Sequence, residues 1–179
     1  MVLFRKSKRR AASLLEIILG LPVVLILLFA VAQFGLLQSN QQTLKMASRA
    51  GALAAVELDI NSGGPINPEI VNAVNEVLRR SGLIGEMENI AAVGDVQLDY
   101  FVYDEVNDTS ISGTKVANVG CPPPDTTEPS FYYVQVTVCL PADRLAPNAM
   151  ACFGGDFSGR NVIMTSLFRH EFSPVVVVP

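Results

Sequence analysis

Apolar and polar positions divide the chain into stretches with different periods. From Ile17 to Leu44 no charged residue occurs, and between Ile17 and Leu37 only Gly20, Pro22, Gln33 and Gly35 depart from aliphatic and aromatic side chains. As a helix that stretch is roughly 32 Å long, enough to cross a hydrocarbon core of about 30 Å. Ile17, Pro22, Phe34 and Leu37 therefore mark a single predicted span. The run exceeds the apolar core of a secretory signal, about 7 to 15 residues, which favours a retained anchor. Past the polar stretch Gln38 to Thr43, the positions Leu44, Ala47, Ala50, Gly51, Ala54 and Leu58 recur at three- and four-residue intervals. That spacing carries the helix on as a spine, so residues 13–58 are expected to form one rod. Small side chains from Ala47 to Ala55 permit close approach, either to the rod's own domain or to a neighbouring subunit.

The remainder, residues 59–179, has the periods of a mixed domain. Asn67, Pro68, Glu69, Arg79, Arg80 and Gly82 are placed as the caps and terminal charges of a short helix, with Ile70, Val74 and Val77 on one face. Val96–Val106, Phe131–Leu140 and Asn161–Phe172 are rich in β-branched and aromatic residues, and the first two alternate in polarity, as half-buried strands do. The expected fold is α+β: a long N-terminal transmembrane helix and spine, one short helix, and a small antiparallel sheet of three to four strands. Residues 107–130, with Pro122, Pro123 and Pro124 among many hydroxyl, amide and acidic side chains, read as one long loop.

Charge sets the expected orientation. The formal net of -4 conceals five positive charges, Arg5, Lys6, Lys8, Arg9 and Arg10, ahead of the span, while the chain after them has 8 basic and 17 acidic side chains. A basic arm, residues 1–12, stays on the cytoplasmic side of a bacterial inner membrane, and the acidic bulk is exported. An acidic exported domain would repel phosphates, so nucleic acid is not an expected partner. Export permits a disulfide among Cys121, Cys139 and Cys152. A strand end meets the following loop easily, which favours Cys139 with Cys152, and Cys121 with Cys152 is the next choice. The single His170 lacks the companions of a zinc site, and no nucleophile–base or phosphate-loop pattern emerges. The reading therefore includes no catalytic residue, metal, cofactor or small-molecule substrate.

RRAASLLEIILGLPVVLILLFAVAQFG, followed later by ASRAGALAA, resembles the N-terminal segment of TadE-like proteins, pseudopilins of tight-adherence (Flp) pilus systems. The resemblance covers about the first 57 residues, with a weaker likeness in GGDFSGRNVIMTSLFRHEF. It implies a pilin-like fold and, as partners, membrane lipid, other pilin or pseudopilin subunits, pilus platform proteins and a prepilin peptidase. Placing Glu16 fifth in a mature chain puts the first residue at Ala12 and the cut after Ala11. Ala11 stands where such peptidases usually require glycine, so either alanine is accepted or the basic arm is kept. Glu16 either snorkels to the headgroups or neutralises a cation on a neighbouring helix.

Two functions follow as expectations: a minor pilin or pseudopilin with a structural role in a pilus-assembly or secretion machine, or a lone membrane-tethered extracytoplasmic binding domain that does not assemble. Both predict the same topology. Alkaline phosphatase fused after Phe172 should be active in the periplasm. An inactive fusion would reverse the orientation.

Overall fold

The structure, a computed structural model, describes residues 3–58, 65–104, 109–119, 121–122, 131–147 and 159–169. Helix α1 (Leu3–Glu57) runs through the basic arm, the apolar stretch and the spine, and it includes Pro22. The arm is thus a helical extension of the rod. After α1 come helix α2 (Pro68–Arg80), the short helix α3 (Ile90–Val93), strands β1 (Asp95–Asp104), β2 (Thr109–Val116) and β3 (Tyr133–Pro141), the short helix α4 (Ala142–Leu145), and strand β4 (Asn161–Arg169). This is the expected α+β layout, with four antiparallel strands in the order β2-β1-β3-β4.

Helix α2 is delimited as its sequence dictates. The Asn67 side-chain oxygen accepts from the Glu69 N–H at 2.9 Å, and Pro68 takes the first helical position, where a missing N–H costs nothing. At the other end Gly82 adopts φ +73°, Gly82 N–H donates to Arg79 O and Leu83 N–H to Leu78 O. These paired bonds satisfy carbonyls that the helix leaves open, and the left-handed turn they need is cheapest at glycine. The buried face is Ile70, Val71, Val74 and Leu78 with Asn75, and Val77 is only partly covered, so the apolar stripe is centred differently from the expected Ile70–Val74–Val77 line. Asn75 is 1% exposed and spans the gap to α3, donating to Asn89 Oδ1 and accepting from the Ile90 N–H at 2.7 Å. Its buried amide is thereby satisfied.

The core lies between the helices and one face of the sheet. Val96 and Leu98 of β1 and Val134, Val136, Val138 and Leu140 of β3 meet Leu44, Ala47, Ala52 and Ala55 of α1 and the buried face of α2. The register places Val136 opposite Leu98 on one side and Ser166 on the other. Ser166 faces Ser48 of α1, and the two hydroxyls hydrogen-bond at 2.7 Å in a buried setting, which compensates their desolvation. The other face of the sheet is polar at its middle: Gln97 and Thr114 donate to the Asp99 carboxylate, and Thr137 and Thr165 share a hydrogen bond. Toward one end that face carries Phe101, Tyr103, Tyr132 and Tyr133 in ring contact.

Two expectations are corrected. Residues 107–130 do not form one loop, because β2 occupies Thr109–Val116 and pairs with β1 from Gln97↔Val116 to Asp104↔Thr109. The disulfide joins Cys121 to Cys139, not Cys139 to Cys152. The second correction follows from the first. A β1–β2 hairpin returns the chain to the end of the sheet where Asp95 pairs with Cys139, so Cys121, five residues after β2, arrives beside that position with a Cα separation of 5.8 Å. Cys152, His170 and Phe172 lie outside the described residues.

Gly51 is the tightest point of the helix–sheet packing. A Cβ there would lie 2.7 Å from Val74 Cγ2 and 3.2 Å from Val136 Cγ1. Gly51→Val should therefore destabilise the domain by about 1–3 kcal/mol through overpacking. Gly20→Val, with nothing within 4 Å of the added carbon, should not. Thermal unfolding of the two variants in the same detergent checks the contrast.

Candidate membrane-anchoring and assembly surface

Helix α1 has two environments along one continuous backbone. Leu14, Leu15, Ile17, Ile18, Leu19, Val24, Leu27, Leu28 and Val31 are each more than half exposed, whereas Leu44, Ala47, Ala52 and Ala55 are 0% exposed. A chain does not leave so much contiguous aliphatic surface to water at a hydrophobic cost of about 25 cal/mol per Å². The helix is long and apolar enough to cross a membrane, and its most apolar window is not buried among the described residues.

The change between the environments is asymmetric around the helix. Gln33, Leu37, Asn40, Leu44, Ser48, Gly51 and Ala55 follow one another at three- and four-residue intervals and, with Ala47 beside them, form the covered stripe. Gln33 is 7% exposed, yet Phe34, next in sequence, is 62% exposed. Leu37 packs against the core, so on this side the exposed apolar surface ends a turn earlier than Leu37, while on the far side Phe34 and Leu36 stay open. Asn40 fixes the base of the domain by donating to the carbonyl of Leu145 at the end of α4. The small residues thus serve the rod's own domain: Ala47, Ser48, Gly51, Ala52 and Ala55 are buried beneath α2 and the sheet. Met46 and Leu53 point outward at 61% and 52% exposure.

The remaining residues singled out in the sequence lie toward the start of α1. Arg5, Lys6, Lys8, Arg9, Arg10, Ala11 and Ala12 belong to its first turns. Ala12 and Glu16 are four residues apart, about one turn of the helix backbone. Glu16 is exposed, flanked by exposed Leu15 and Ile17, and no described residue forms an ion pair with it. Ile17 and Phe34 are more than 60% exposed, and Pro22 is exposed inside the helix. Sequence reasoning missed Gln33 and Ser48 as covered positions. Their signal was available, because both fall on the stripe that continues from Leu44 and Ala47 at helical spacing.

The sulfur bridge lies at the base end of the sheet, with Cys121 and Cys139 6% and 5% exposed beside the carbonyl of Asp95. Among the described residues no group of three His, Cys, Asp or Glu side chains is placed to hold a metal ion.

Residues 11–53 match the family model described as TadE-like protein, bearing out the resemblance over the stretch that carries it. The match covers the exposed part of α1 and most of its covered stripe, and it implies a part in pilus assembly. No curated protein and no solved structure matches the chain.

The bridge closes a loop of 18 residues, for which chain entropy predicts a stabilisation of about 3 kcal/mol. Replacing Cys121 and Cys139 together by serine should lower the unfolding midpoint accordingly. In the unreduced native protein a maleimide should label no more than one of the three thiols, Cys152, as mass spectrometry of the digest would show.

Proposed function

We propose that this chain is a membrane-anchored minor pilin or pseudopilin-like component of a tight-adherence pilus machine, with a structural and assembly role and no catalytic one. The observation that carries the reading is the exposed apolar half of α1, left uncovered by its own domain and coinciding with the TadE-like match. A bilayer satisfies that surface in the unassembled subunit, and neighbouring helices of the same kind can replace the lipid on assembly. Inner-membrane location with the arm in the cytoplasm is supported by the five basic residues ahead of the span. The Cys121–Cys139 bond supports the same orientation, because such bonds persist in an oxidising compartment.

Glu16 is the assembly residue in this reading. It lies at the edge of the apolar stretch, where an ionised carboxylate entering hydrocarbon costs about 2.5–3.5 kcal/mol. If the chain is cut after Ala11, the new amine of Ala12 lies about 6 Å away along the axis. Within a bundle the carboxylate of one helix can meet the amine of the next, offsetting the desolvation of both. Glu16→Gln should insert normally and be recovered severalfold less with the assembled machine. N-terminal sequencing should find Ala12. An intact Met1 start with unchanged recovery of the mutant would refute the pairing, and crosslinking that returns only monomer would favour a solitary tethered domain.

A further inference from the structure

The globular domain has one end closest to the exposed half of α1, and that end is built from several elements. Asn40 contacts Leu145 of α4, and the Ala142 N–H donates to the carbonyl of Arg160 at 2.7 Å, which brings the start of β4 to the same place. Arg79 donates to the carbonyl of Glu88 at 2.7 Å, and Arg144 pairs with the Glu88 carboxylate at 3.5 Å, so the turn Gly85–Glu88 joins the same base. Across the sheet, Asn118 binds Asp95 Oδ1 and the carbonyl of Ala91, placing the segment after β2 at this end too.

Apart from α1, the two most exposed large apolar side chains among the described residues are both here: Met87 at 100% and Val119 at 86%. Arg160 at the same end is exposed, Arg144 retains 45% of its side-chain surface beside Glu88, and the carboxylates of Glu86 and Asp143 are exposed there as well. Depth completes the picture. Asn40 lies three residues beyond Leu37, about 4.5 Å along the helix, and the headgroup layer of a bilayer is about 5–7 Å thick. Gln33, still deeper, is already buried while Phe34, next in sequence, is open.

We propose that this base is a lipid-binding face that rests in the phospholipid headgroup layer. Met87 and Val119 reach toward the acyl boundary, and the guanidinium groups of Arg144 and Arg160 lie at the level of the lipid phosphates. The inference rests on the membrane-spanning reading of α1 and adds to it a second, peripheral contact that fixes how the domain stands on the bilayer. Its partner is the glycerophospholipid surface itself, which continues directly from the exposed apolar surface of the span.

The chain contains no tryptophan, so single introduced indoles report without background. Met87→Trp, Val119→Trp and, at the opposite end of β2, a substitution of the exposed Ser110, Ser110→Trp, are each made in the full chain and placed in nanodiscs of phosphatidylcholine with phosphatidylglycerol. A spin-labelled headgroup lipid should quench the fluorescence of the Met87→Trp and Val119→Trp proteins severalfold more than that of Ser110→Trp. Phe29→Trp, within the span, should be quenched by lipids brominated along the acyl chain. If either Met87→Trp or Val119→Trp is quenched no more than Ser110→Trp while Phe29→Trp responds, the lipid-binding face is overturned and the span stands. If Phe29→Trp does not respond, both fall.

Discussion

The arrangement depends on how closely one stripe of α1 can be approached. A helix and a sheet can lie against the same few turns only where side chains are small, and Gly51 with Ala47, Ser48, Ala52 and Ala55 supplies that surface. Larger residues there would push β3 and α2 away from the rod and break the Ser48–Ser166 bond, leaving Ser48 only its bond to the Lys45 carbonyl and taking from the buried Ser166 hydroxyl its partner on the helix. The domain is therefore built around the helix that anchors it. Changes in the orientation of that helix are carried directly into the sheet, because no linker separates them.

Much of this was legible from residue order. The apolar run, the caps of α2, the alternation in β1 and β3 and the strand-forming composition of β4 each follow from local chemistry that operates within a few residues, and these elements lie within a few residues of where the sequence places them. Strand β2 was not legible, because TSISGTKV contains only Ile111 and Val116 as strongly strand-forming apolar residues, and its pairing with β1 comes from position at the sheet's edge. The disulfide was lost with it, since without the hairpin nothing brings Cys121 back toward Cys139. Val77 shows a smaller error of the same kind. Helical spacing admits both Val77 and Leu78 on an apolar face, and only the position of the sheet and α1 decides that Leu78 is the one covered.

The candidate surface was legible in part. The anchor is a property of composition and could be read directly. Its boundary could not, because Gln33 is buried and Leu37 half-buried only once the chain is folded, whereas Phe34, on the other side of the same turn, stays exposed. Met87 and Val119 carry no signal in a linear reading. Each is an isolated apolar residue in a polar neighbourhood, and they share a surface only once α3, α4 and the ends of the strands are assembled.

Strand β4 forms one edge of the sheet, and among the described residues no strand covers its outer side. It contains Val162, Ile163, Met164, Leu167 and Phe168 and no proline or lysine, a pattern that in a freely tumbling protein invites edge-to-edge association. Its direction changes that outcome. Asn40 meets α4 beside the beginning of β4 and Ser48 meets Ser166 further along, so the strand runs in the same sense as the helix, away from its exposed apolar half. Antiparallel pairing of two such edges would require the two anchors to point in opposite directions. Copies held with one orientation in one membrane cannot do that, so such anchoring removes antiparallel pairing between β4 edges and leaves only the parallel arrangement, which is the less stable of the two per residue.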